Sequence, residues 1–176
     1  MTTATTNLTD FNAQARSRAT AIAWGSILAG ALSGMVMGLW SFDGPFPTPE
    51  WIGDYDALPR RFLRLAHVAM FALGVLHMMV ARQITTTPTR PRLDHLGLHA
   101  MAAGNVLMPT ILIAAAVWEP FKYLTPIPSL AISTALAIAA YGACVRLHVD
   151  KGTLERGVCE REFQLMKKCF QQVRKR

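Results

Sequence analysis

The sequence predicts an all-α integral membrane protein with four transmembrane helices. Both termini are expected on the cytoplasmic side (N-in/C-in), with an amphipathic cytoplasmic helix at the C-terminal end. Three observations carry this. The 176 residues are 52% hydrophobic and only 16% charged, against about a quarter charged in soluble domains. The apolar residues gather in four long runs. Lys and Arg are distributed unequally between the segments joining those runs.

Residues 1–18 are polar, rich in Thr, Asn and Ala, and are expected to form a flexible cytoplasmic arm. They lack the pattern of a cleavable leader, so the first apolar run is expected to remain as an anchor. The bundle is expected over 19–148. Its helices fall at about 19–41, 62–81, 96–118 and 127–146. A crossing helix needs roughly 20 mostly apolar residues. The runs are continuous rather than alternating, which selects helix over strand.

In the first run, Ser26, Gly30, Gly34 and Gly38 recur every fourth residue. Residues four apart lie on one helical face, so they form a smooth stripe. Small residues let backbones approach closely in lipid, which marks the stripe as an interface. Packing against the chain's own helices and docking to another subunit both satisfy it.

Between the first two runs, Pro45, Pro47 and Pro49 exclude helix and favour an extended path. Trp40, Trp51 and Tyr55 suit a membrane–water interface. The segment is expected to be a stiff strap that covers the end of the bundle or meets a partner. Arg60 and Arg61 are expected to pair with Asp54 and Asp56, leaving Arg64 to snorkel.

Pro88 and Pro91 mark the second connection, and Pro109 is expected to kink the third helix. The tail over 149–176 spaces Leu154, Val158, Phe163, Met166, Phe170 and Val173 among Arg161, Lys167, Lys168 and Arg174. That pattern fits a helix lying on a membrane surface.

With the N-terminus inside, 14 Lys and Arg fall inside and 4 outside, which sets the N-in/C-in topology. The net charge of +7 is thereby explained as topogenic, facing anionic lipids on the cytoplasmic side. Nucleic acid is not expected as a partner. A bacterial inner (cytoplasmic) membrane is the expected location.

Chemistry is sought first at ionisable groups within apolar runs, because burying them is costly. His67 and His77 lie in the second run and His99 at the start of the third, with His95 and His148 at the cytoplasmic border. His77 and His99 fall at comparable depth on antiparallel helices, the arrangement of two axial ligands to a b-type haem. Gly74 and Gly104 would leave room for the porphyrin, and Arg82 and Arg92 would meet its propionates. A quinone or structural lipid is the alternative occupant, and a hydrogen bond to a neighbouring carbonyl or hydroxyl the simplest role for each imidazole. His67 with Arg64 forms a second candidate site for a quinone or lipid headgroup. Met37 lies at similar depth to His67.

Cys144, Cys159 and Cys169 show no CxxC and no zinc-ligand spacing. A reducing cytoplasm argues against a structural disulfide, so they are expected to be ordinary small apolar residues. No catalytic residue and no metal beyond haem iron are expected. The crossing runs contain no Asp or Glu, which argues against cation-coupled transport.

The expected function is an accessory or anchor subunit of a multi-subunit membrane complex, respiratory or otherwise electron-transferring, with other membrane subunits as partners. The alternatives are a b-type haem electron carrier interacting with quinone, and a small solute- or lipid-handling membrane protein.

Overall fold

The structure is a computed structural model that describes residues 2–41, 44–86, 91–151, 159, 160 and 164. Among the described residues there is no strand. Four α-helices follow in order: α1 (Thr2–Gly38), α2 (Leu58–Thr86), α3 (Pro91–Val117) and α4 (Pro126–Asp150). A short 3₁₀ turn over Glu119–Leu124 joins α3 to α4. Each long helix is long and apolar enough to cross a membrane. The amphipathic pattern of 149–176 lies almost wholly outside the described residues.

Several boundaries differ from expectation: α2 ends at Thr86 rather than 81, α3 starts at Pro91 rather than 96 and α4 ends at Asp150 rather than 146. α1 continues down to Thr2, so the arm is helical; no Pro or Gly interrupts the chain before Gly25. α2 starts at Leu58, four residues earlier than its apolar run, because Pro59 suits a first helical turn.

The helices form an up-and-down series in which each packs on its sequence neighbour. α1 also touches α3, and α2 touches α4, but α1 and α4 do not meet among the described residues. The bundle is therefore open along one seam. Its core joins α2, α3 and α4 through Val80, Ile84, Met101, Ile132, Ala135 and Ala139.

The small-residue stripe is used within the chain. A Cβ at Gly30 would lie 3.0 Å from the Phe71 ring, and one at Gly34 only 2.5 Å from His67 Cε1. Ser26 Oγ reaches the Met70 carbonyl of α2 at 2.9 Å. Gly38 has open space around it. Three of the four positions thus seat α1 on α2, where backbone proximity supplies the packing that lipid does not drive.

The segment after α1 folds back as a cap. The Phe46 amide donates to the Leu39 carbonyl (3.1 Å), and turns at Ile52 and Gly53 follow. Gly53 takes φ of 70°, a left-handed conformation. Ile52 is fully buried at this end of the bundle.

Candidate functional site: a buried imidazole

Among the described residues, two cavities bordered by candidate histidines lie beside the α1–α2 contact, one towards each end of the bundle. The cavity beneath the cap has a volume of about 210 Å³ and is bordered by Met37, Trp40, Ile52, Arg60, Arg64 and His67. Several of its polar groups are engaged within the chain. His67 Nδ1 lies 2.8 Å from the Gly30 carbonyl and 3.1 Å from Ser33 Oγ. Arg64 donates to the Tyr55 carbonyl (3.2 Å) and its guanidinium stands 4.0 Å from the centre of the Tyr55 ring. Arg61 pairs with Asp56 as expected. Arg60 does not pair with Asp54: it donates to the Trp40 carbonyl at 3.3 Å and reaches Ser41. The cap brings those acceptors within its reach, and Asp54 and Asp56 stay exposed.

The cavity at the other end has a volume of about 160 Å³. Gln14, Arg18 and Ile22 of α1, His77 of α2, and His95 and His99 of α3 border it. His77 is completely buried. Its Nδ1 is held by the Asn105 side-chain amide at 3.2 Å. Ser26 Oγ in turn lies 3.0 Å from Asn105 Oδ1. Asn105 is itself buried. The single Ser26 hydroxyl proton faces both the Met70 carbonyl (2.9 Å) and Asn105 Oδ1; where it goes to Asn105, the Asn105 NH₂ donates to His77 Nδ1. With the Asn105 amide donating to Nδ1, the neutral ring carries its proton on Nε2. His77 Nε2 has no hydrogen-bond partner. A buried donor left unpaired costs about 1–3 kcal/mol.

Pro109 lacks an N–H for the carbonyl of Asn105, four residues earlier. The α3 backbone is thus altered at the residue that orients His77.

Of the remaining sequence candidates, His99 borders the same cavity as His77 and the others lie apart from it. His99 is exposed and stacks on His95, with ring centres 6.2 Å apart. Gly74 does not open a space: a Cβ there would lie 2.7 Å from Ile27 of α1. Gly104 is likewise filled, 2.4 Å from Ile132 of α4. Both are helix-contact glycines rather than porphyrin clearances. Arg82 borders a separate hollow of about 450 Å³ with Arg16. The Arg92 side chain lies outside the described residues.

Sequence reasoning missed Asn105 and Ser26 as partners of His77. A signal existed, since Asn105 is the one amide in an otherwise apolar α3 run, and such residues bond across helices in membranes. The cysteine expectation is corrected as well: Cys144 and Cys159 are joined as a disulfide, with Cα atoms 6.1 Å apart. They stand 15 positions apart in sequence, and spacing alone does not reveal that Cys159 returns to α4.

No family model matches the chain, and no curated protein or solved structure matches it.

Proposed function

We propose that this chain is a small subunit of a membrane electron-transfer assembly that holds a quinone headgroup at His77. The observation that carries the reading is the buried, unpaired Nε2 of an imidazole bordering a cavity of about 160 Å³. A quinone carbonyl is an acceptor, and Nε2–H is a donor without one. Gln14 and Arg18 border the same cavity from α1 and offer further donors. The isoprenoid tail would leave through the lipid-facing sides of the helices. Electrons would be supplied by partner subunits.

Size favours this over haem. A cavity of about 160 Å³ accepts a single six-membered ring; a tetrapyrrole is several times larger, and sites for drug-sized ligands start at about 300 Å³.

The assignment includes the N-in/C-in topology, which puts the His77 cavity in the inner half of a bacterial cytoplasmic membrane. The skewed Lys and Arg distribution supports it. The open seam between α1 and α4 supports a place beside other subunits.

Equilibrium titration with a short-tailed ubiquinone analogue tests the reading, on purified chain and on His77→Leu. Saturable binding to wild type, weakened at least tenfold in the variant, is expected. Equal affinity in both proteins refutes it. A reduced-minus-oxidised b-type band that vanishes in His77→Leu would establish haem instead.

A further inference from the structure

The end of α4 carries a second constellation that the quinone reading does not use. Cys144 and His148 stand four residues apart, one above the other on the same helical face. His148 Nδ1 lies 3.8 Å from Cys144 Sγ and 2.9 Å from the Cys144 carbonyl oxygen. Cys159 closes the group through its disulfide with Cys144. One ligand atom from each of the three residues falls within 4.8 Å of the other two. All three are partly buried.

We propose that Cys144, His148 and Cys159 form a thiol-gated binding site for a thiophilic d¹⁰ cation, zinc(II) in the first instance. Two thiolates and an imidazole are a preferred set for this ion, with an open position left for water. Around a tetrahedral zinc, bonds of about 2.3 Å to sulfur and 2.0 Å to nitrogen hold S and N about 3.5 Å apart. The observed 3.8 Å separation is within a few tenths of that without any helix movement. Binding through Nδ1 takes the tautomer with the proton on Nε2 and gives up the contact to the Cys144 carbonyl.

The disulfide is the closed state of this site. On the N-in/C-in reading the constellation faces a reducing compartment, where disulfides are transient and regulatory rather than structural. A dithiol reductant opens the bridge: it delivers two electrons and two protons to the two sulfurs and closes its own disulfide. Zinc then binds the two thiols as thiolates, and the two protons pass to solvent. Oxidation of the pair expels the ion.

The test uses the full chain in mild detergent. One sample is reduced with a water-soluble phosphine, which takes up oxygen from water as the bridge becomes two thiols. The other is left oxidised. Both are incubated with zinc under nitrogen, desalted and analysed for bound metal. The expected result is about one zinc per chain in the reduced sample and none in the oxidised one, with loss of stoichiometric zinc in reduced Cys144→Ser, Cys159→Ser and His148→Ala. Circular dichroism and a monodisperse elution profile verify that each variant is folded. Cobalt(II) provides a second readout, since thiolate ligation gives an intense near-ultraviolet charge-transfer band that Cys144→Ser should abolish. Zinc retained equally by the oxidised protein, or by folded Cys159→Ser, overturns the proposal, as does the absence of zinc from the reduced wild type.

Discussion

At His77 the structure turns a polar residue in an apolar helix into a specific chemical statement. Ser26, Asn105 and His77 form a chain of donors and acceptors that ends on an unpaired Nε2. Asn105→Leu leaves His77 buried without its Nδ1 partner, while Ser26 keeps the Met70 carbonyl. It is expected to cost about 1–3 kcal/mol. The double variant Asn105→Leu/His77→Leu removes the stranded imidazole too and should recover most of that loss, because replacing both partners by apolar groups is nearly neutral. Reversible unfolding by SDS titration in mixed micelles measures both. Equal destabilisation by the single and double variants would show that the network is not coupled.

The sequence made His77 conspicuous, because a histidine in an uncharged run demands a reason. It did not show which ring nitrogen is engaged, since that depends on Asn105, 28 residues away. The cysteines were illegible for a related reason: the contact between Cys144 and Cys159 exists only once the chain has turned back on α4.

Among the elements, the apolar part of α1 was legible, but its extension to Thr2 and the other side of its stripe were not. Repeated small residues identify a close contact but not its other side; the structure gives that side to α2. Gly34→Ala would place a Cβ 2.5 Å from His67 Cε1. Gly104→Ala would place one 2.4 Å from Ile132 and 3.2 Å from the Pro128 carbonyl oxygen. Each is expected to destabilise by about 1–3 kcal/mol, the range for overpacking. Gly25 has nothing within 4 Å, so Gly25→Ala should be neutral or stabilise by up to about 1 kcal/mol through helix propensity. Thermal unfolding in one detergent ranks the three. A Tm loss for Gly25→Ala as large as for Gly34→Ala would contradict the assignment of the stripe to α1–α2 packing. The cap shows the same division: its prolines predicted a stiff path, while the burial of Ile52 beneath it required three-dimensional contact.

For the whole molecule, hydropathy alone was enough to give four crossing helices, because each must satisfy its backbone within itself in lipid. The open α1–α4 seam was not legible, since helix order in sequence leaves the closing contact undetermined. Topology is testable in intact cells. Glu50 is exposed on the cap, so Glu50→Cys should react with a membrane-impermeant maleimide from outside, and a fluorescent protein fused after Arg176 should fluoresce in the cytoplasm. A protected cap cysteine with a dark fusion would invert the bundle and move the His77 cavity to the outer leaflet.

The most direct test of the central claim is photo-crosslinking with an azido-quinone in native membranes, followed by peptide mapping. The account expects label on the α1 segment containing Gln14 and Arg18 and on the α3 segment containing His95 and His99, with both lost in His77→Leu. Label confined to the cavity beneath the cap, around Arg64 and His67, or unchanged by His77→Leu, would contradict it.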